Sequence, residues 1–280
     1  MDEATLKRAI EDAAQVADKV RTIGLPQVRE LAEAVGSVGE VERAALALEV
    51  VPIRYLRNLG TVGIDGQLRL LQAKVAIVGL GGLGGYVAEA LARMGVGCLV
   101  LIDGDNFDEH NLNRQLLSTE NNLKASKAEV ASRHISEINA GVKTVCHSEV
   151  LTGENVGRLL SGAHVVVDAL DSLPMRLVLQ DGAQELGIPM VHGSIGGLLG
   201  QVMTVFPDDP GLHALYGSGE GLPEQGLEAE LGTPSATPMA VAAWEAQEVV
   251  KLVTGLGEPL RGRLLMMDME SGTAQILQLA

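Results

Sequence analysis

The chain has 280 residues, of which 46% are hydrophobic, and a formal net charge of -15 at pH 7. That length allows one large domain with a small extension and a sizeable core, while the acidic balance excludes nonspecific binding to nucleic acid or to an anionic membrane. No uninterrupted apolar run of about eighteen residues occurs, and the opening MDEATLKRAIEDAAQ is charged where a signal peptide would be apolar, so a cytoplasmic protein is expected.

In chain order, residues 4–50 read as helices: TLKRAIEDAAQVADKV, a break at Gly24 and Pro26, QVRELAEAV, a break at Gly36 and Gly39, and EVERAALALEV. This helical N-terminal extension (1–50) suits a cap on the core or an oligomerisation element; the acidic charge disfavours a helix-turn-helix reader. From Lys74 short apolar runs alternate with amphipathic segments: KVAIV, a helix over 84–94, CLVLID, a helix over 126–139, TVCHSEVL, a helix over 154–161, HVVVDAL, a helix over 174–187, and PMVHGSI. The alternation predicts a Rossmann-like α/β fold over 51–280, with a doubly wound, mainly parallel sheet covered on both faces. GQVMTVF, GRLLMMDME and TAQILQL predict added antiparallel strands, with a glycine- and proline-rich loop over 207–237 and a helix over 238–254 between them. A loop of that length inside a compact domain is usually functional or mobile. The two cysteines, Cys98 and Cys146, fall in apolar strand-like runs and read as small buried hydrophobes.

GLGGLG places Gly79, Gly81 and Gly84 at the G-x-G-x-x-G spacing, after a strand and at the start of a helix. Gly79 permits the tight turn, Gly81 lets a phosphate approach the backbone, Gly84 allows close helix packing, and the helix N-terminus offers free amides to an anion. Asp103, at the end of the next strand, can hold a ribose hydroxyl pair, so the turn alone suits NAD and ATP equally. Two cations further along the chain favour ATP. NLNRQ supplies Arg114, and KASKAE supplies Lys127 at the first helical position behind Ser126, which has the capping-box spacing with Glu129. Hydride transfer needs no cations around phosphates, whereas attack at phosphorus does. VVVDALD ends a parallel strand with Asp168 and Asp171, and one of these carboxylates could hold Mg2+.

In this order and spacing RYLRN, GLGGLG, LIDGDNFDEHNLNRQ, SKAEVA, VVVDALDSLPMR and GQVMTVF resemble the ThiF/MoeB/HesA adenylyltransferases, bacterial relatives of the ubiquitin-activating enzymes, from about Arg54 to the C-terminus. The resemblance implies ATP-dependent adenylylation of the C-terminal Gly-Gly carboxylate of a small ubiquitin-like sulfur carrier, of thiamine, molybdopterin or another type. It also implies an ATP site of Gly79, Gly81, Gly82, Asp103, Asp105, Asn111, Arg114, Gln115 and Lys127, with Asp103 on the ribose, Arg114 and Lys127 on the phosphates, and Asp171 on Mg2+. Arg57 matches an arginine that the family inserts into the partner subunit's site, which makes a homodimer the expected state. A carboxylate nucleophile is already ionised near neutral pH, so no general base is required. His110, His134, His192 and His213 therefore read as structural or exposed, although His192 could border the acyl site. Gly193, Gly196, Gly197 and Gly200 either admit an extended Gly-Gly tail or form turns.

Departures from the family are also legible. No CxxC pair occurs, so no zinc is expected; the loop before the long helix holds no cysteine for a thioester, so a separate sulfur donor protein is expected; and Ser172 stands where the family often has Asn. Three other readings stay open: adenylation with a different acceptor, an NAD-binding oxidoreductase, and a noncatalytic scaffold for a ubiquitin-like protein.

Overall fold

A computed structural model of the chain describes residues 1–17, 20–219, 221–224, 226 and 228–279. Asp18 and Lys19, inside the first helical reading, and Glu220, Gln225 and Leu227, inside the 207–237 loop, lie outside the described residues, as does Ala280.

The N-terminal extension is not all helical. Helix α1 (Glu3–Ala13) starts on Asp2, whose side chain accepts from the Thr5 amide, and it ends before strands β1 (Gln15–Ala17) and β2 (Val20–Ile23). The β-branched residues of QVADKVRTI favour extended backbone over the helix that their spacing suggests. Helices α2 (Leu25–Val35) and α3 (Val38–Ala47) follow, and β3 (Val50–Pro52) pairs in parallel with β2 to complete a three-stranded sheet. Leu6, Ile10, Ile23, Val28, Val41, Ala45 and Val50 form its own small core. Leu46 and Val51 instead pack with Tyr55 and Leu71, across the seam to the rest of the chain.

Beyond the seam, α4 (Leu59–Gln72), bent at Gly63, leads into an eight-stranded sheet. Its parallel part is built from β4 (Lys74–Val78), β5 (Cys98–Ile102), β6 (Lys143–His147), β7 (Val165–Asp168) and β8 (Met190–Gly196), joined by α5 (Gly84–Met94), α6 (Lys127–Ile138), α7 (Val156–Leu159) and α8 (Leu173–Glu185). β9 (Leu199–Val205), β10 (Arg263–Asp268) and β11 (Thr273–Gln278) add antiparallel strands, giving the order β11-β10-β9-β8-β7-β4-β5-β6. The stretch before the long helix carries two single turns, α9 (His213–Tyr216) and α10 (Glu228–Leu231), and that helix, α11 (Ala236–Thr254), starts two residues earlier than its pattern suggests. Alternate residues of the central strands feed two cores: Val75, Ile77, Val165 and Val167 face α5, α6 and α11, while Ala76, Val78 and Val166 face α7 and α8.

One expectation changes. Cys98, at the start of β5, is only partly buried, and Cys146, on the edge strand β6, is exposed. Three glycines of GSIGGLLG have packing or turning roles. A Cβ on Gly193 would lie 2.3 Å from Glu245 Cδ and one on Gly200 2.4 Å from Val241 Cγ2, so both let α11 lie close on the sheet. Gly197, at φ +58°, makes the β8–β9 turn. None of the described helices is long and apolar enough to cross a membrane.

Candidate active site

β4 continues to β5 on one side and borders β7 on the other, so the chain reverses direction across the sheet at this strand. Crevices at such switch points, beyond the carboxyl ends of the strands, are where open α/β sheets bind ligands. A cleft of about 560 Å³ opens here, a volume that accommodates a nucleotide.

Its floor is the glycine turn. Gly79 has φ +90°, and a Cβ on it would lie 2.4 Å from the Ala169 carbonyl; a Cβ on Gly84 would lie 1.8 Å from the Gly79 carbonyl. Both positions therefore require glycine, one for the turn and one for the seat of α5. The α5 N-terminus has no side-chain cap, and among the described residues the amides of Gly81 and Gly82 donate to nothing. Unpaired amides at the positive end of a helix are suited to phosphate.

Asp103 braces this turn: Oδ2 accepts from the Leu80 amide at 2.7 Å and Oδ1 from the Asp105 amide at 2.8 Å. Burial pushes its carboxyl above the usual range, against the opposing pull of Lys127. Lys127 is the first residue of α6, as its spacing suggests, and Ser126 caps the helix by accepting from Glu129 N at 3.4 Å. The ammonium is buried to 9% exposure and meets Asp105 Oδ2 at 2.9 Å, while Asp105 itself is 71% exposed. A buried ammonium held by one solvent-facing carboxylate keeps donors available for a ligand.

Arg114 lines the cleft, and one nitrogen of its fork donates to the His110 carbonyl and to Asn113 Oδ1, both at 2.9 Å. Gln115 is 6% exposed and its Nε2 lies beside Gly81, while its Oε1 is buried with no partner among the described residues. The amide nitrogen is thus a donor placed at the glycine turn. Asn111 is not on the cleft wall; its Oδ1 accepts from the Asp108 amide at 2.9 Å and closes the turn that presents Arg114 and Gln115. Part of the roof is the 207–237 segment, which contributes Glu224, Ala229 and Thr233. It is tied down where Leu173 N donates to Glu224 O at 3.0 Å and Gly197 N to Gly232 O at 2.8 Å.

The two aspartates after β7 have different fates. Asp171 is exposed on the cleft wall, free to meet a cation. Asp168 is wholly buried, and its Oδ2 accepts from His192 Nδ1 at 2.7 Å and lies 3.5 Å from Arg176 Nη1. Burial would raise its pKa, but the Arg176 charge and the His192 hydrogen bond outweigh that and hold it below the usual range. Burial drives His192 down, so the imidazole is neutral: Nδ1 donates to Asp168, and Nε2 accepts from Gln201 Nε2 at 3.3 Å. Arg176 also donates to Gly193 O at 2.8 Å and to Leu170 O, which fixes the backbone just before Asp171. Ser172 is the cap of α8, its Oγ accepting from Met175 N at 3.4 Å.

Sequence reasoning missed Arg176 and Glu245. Glu245 is fully buried on α11 against Gly193, neither carboxyl oxygen has a partner among the described residues, and burial raises its pKa well above the ordinary value. An acidic residue in the apolar register of a long helix was the available signal. Arg57 is exposed just before α4, outside the cleft, and makes no hydrogen bond or ion pair among the described residues.

A switch-point cleft with a glycine turn, two cations and a carboxylate at its wall is the arrangement of a nucleotide-binding Rossmann-like protein. Residues 55–280 match the ThiF family, and the chain belongs to it. It is 37% identical over 220 residues to the SAMP-activating enzyme E1 of Haloferax volcanii, covering 77% of this chain and 80% of that protein. It is also 35% identical over 230 residues to adenylyltransferase and sulfurtransferase MOCS3-2 of Zea mays, covering 81% of this chain. The match takes in 48% of the maize protein, so the chain spans about half the length of that relative. Among solved structures, Escherichia coli MccB crystallised with ATP superimposes with a TM-score of 0.71 at 21% identity, covering 81% of this chain and 72% of that one.

Proposed function

We propose that the chain is an adenylyltransferase that activates the C-terminal Gly-Gly carboxylate of a small ubiquitin-like sulfur carrier with ATP. The observation that carries this reading is the junction of the free amides at Gly81 and Gly82 with Lys127 and Arg114 in one cleft. Family membership and the names of the relatives, an activating enzyme and an adenylyltransferase, support it.

In this mechanism Asp103 orients the ribose while keeping the glycine turn in place. The amides of the turn, Lys127 and Arg114 surround the phosphates, and Gln115 Nε2, beside Gly81, adds a further donor. A carboxylate oxygen of the carrier attacks the α-phosphorus; the new bond is the mixed carboxylic–phosphoric anhydride of an acyl-adenylate, the bond from the α-phosphorus to the oxygen bridging it to the β-phosphorus breaks, and pyrophosphate leaves with the electron pair. No proton is removed in this step, so the residues have to orient and neutralise rather than act as a base. Asp171, exposed on the wall with its backbone set by Arg176, would hold Mg2+, whose chemistry is to neutralise charge on the departing phosphates. Neither Cys98 nor Cys146 lines the cleft among the described residues, which supports release of the adenylate to a separate sulfur donor rather than an enzyme thioester.

The proposal also places Arg57 in the site of the partner subunit of a homodimer, where a planar guanidinium can clamp phosphate oxygens. It treats 51–280 as the adenylation domain and 1–50 as an extension, supported by the extension's separate core. It assigns the protein to the cytoplasm and requires no zinc. The test is ATP–pyrophosphate exchange with Mg2+ and candidate Gly-Gly-ended carriers. Carrier-dependent exchange that disappears in Lys127→Ala and Arg114→Ala is the expected result. Absence of exchange with every carrier, together with tight NADH binding, would return the glycine turn to an oxidoreductase.

A further inference from the structure

The last stretch of the roof, residues 232–237, is pinned to two other parts of the chain. At the β8–β9 turn, Gly197 donates its amide to Gly232 O at 2.8 Å and accepts from Thr237 Oγ1 at 2.9 Å, so both ends of the stretch meet one residue. Gly232, at φ +72°, makes the bend that opens the stretch, and Thr237 N closes it by donating to Pro234 O at 3.2 Å. The result is a short arch closed on itself. Its second attachment is to the NLNRQ loop, where Asn113 Nδ2 donates to Thr233 O at 3.3 Å.

Asn113 precedes Arg114, and its amide is committed on both sides. Nδ2 goes to the roof, and Oδ1 accepts from Arg114 Nη1 at 2.9 Å. The neighbours fix which way the amide faces: turned over, it would set its NH2 against a guanidinium and its oxygen against a carbonyl. Arg114 Nη1 donates as well to His110 O at 2.9 Å, while Nε and Nη2 have no partner among the described residues. The guanidinium is thus gripped at one corner and keeps two nitrogens uncommitted. Its stem is placed by the same meeting of segments: a Cβ on Gly82 would lie 3.6 Å from Pro238 Cβ and 3.7 Å from Arg114 Cγ, so the start of α11 and the arginine stem flank one residue of the glycine turn.

We infer that Asn113 is a positioning residue that ties Arg114 to the roof, so that the guanidinium holds its phosphate-binding pose only while residues 232–237 are seated. The inference rests on the reading of the cleft as an ATP site. Asn113 is not on the cleft wall, whereas Arg114 and Thr233 are, so Asn113 acts through Arg114 rather than on a ligand. An arginine free to swing has to be ordered by the nucleotide itself, which lowers affinity; one already gripped by two acceptors and backed by the arch does not. A substrate that presses on the roof at Thr233 is felt at Arg114 through a single amide.

The test is calorimetric binding of MgATP to the full chain, with amide hydrogen exchange over 232–237 measured beside it. Asn113→Ala, at an exposed side chain, is expected to leave Tm unchanged, to weaken MgATP about threefold to tenfold and to speed exchange over 232–237. In an Arg114→Ala background the same substitution is expected to change MgATP affinity by less than about twofold, because the group it positions is gone. A merely structural role would give equal losses in the two backgrounds. That equality, unchanged affinity in Asn113→Ala alone, or unchanged exchange over 232–237 would each overturn the inference. MgATP binding without carrier-dependent pyrophosphate exchange in the wild type would overturn the adenylation reading alone, and no MgATP binding by the wild type would overturn both.

Discussion

Asp103 and Asp168 both stand at the carboxyl end of a central parallel strand, yet they anchor opposite kinds of charged cluster. Around Asp103 the partners are backbone amides and Lys127, whose counter-charge, Asp105, faces water. Around Asp168 everything is enclosed: Arg176, His192 and Glu245 are each under 5% exposed. The open cluster keeps donors for a ligand, whereas in the closed one Arg176 and His192 bond to Asp168, Gly193 and Leu170 and so fasten β7, α8 and β8, with the Glu245 carboxyl buried beside them. Position in the sheet thus nominates a carboxylate, and the partners that the next helix brings decide between binding and fastening.

The largest expected effect breaks the closed cluster. Arg176→Met leaves Asp168 charged and enclosed without its counter-ion, and should lower unfolding stability by about 3–5 kcal/mol in urea denaturation. Lys127→Ala, in the open cluster, should leave the urea midpoint nearly unchanged while reducing carrier-dependent pyrophosphate exchange by about 10²–10³-fold. If instead the two variants lose stability alike, the distinction between the clusters fails.

Glu245 sharpens the comparison through pH. Its folded pKa is raised, so the folded chain holds a proton that the unfolded chain releases above the ordinary value of 4.5. The stability it contributes is complete below that value and is lost as pH rises toward the folded pKa. Glu245→Gln does not titrate, so its advantage over the wild type should grow as pH rises above the ordinary glutamate value of 4.5, read from denaturation midpoints. The smallest effect belongs to Asp105→Ala: with that carboxylate 71% exposed, its ion pair to Lys127 should be worth under about 1 kcal/mol of stability.

Most of the parallel sheet is legible in the sequence because its strands are continuous apolar runs separated by helices of ordinary length, and α5 begins and ends where its pattern says. The glycine turn, Lys127 at its helix start and Asp171 at the cleft are legible for the same reason: spacing along one chain fixes them. The extension misleads because helical spacing in QVADKVRTI competes with β-branched residues that pair once β3 is available, and that pairing is a long-range event. The closed cluster is only partly legible: Asp168 and Arg176 share the segment VVVDALDSLPMR, but His192 and Glu245 come from two further elements and no motif links them to it. Of the repeated glycines after His192, Gly193 and Gly200 lie under α11, a packing role that no spacing along the chain announces.

Tyr55 gives the extension a consequence for anyone handling the protein. Its ring is fully buried between Leu46, Val51 and Leu71, and its hydroxyl joins Glu42 to Asn139, so the two sides of the seam share one solvent-free surface. Cutting the chain at the edge of the family match, just before Tyr55, would uncover that ring and Leu71 together and take away the carboxylate that its hydroxyl donates to. The first fifty residues therefore behave as masonry: a trimmed catalytic fragment would emerge with a sticky apolar scar in place of a clean domain end.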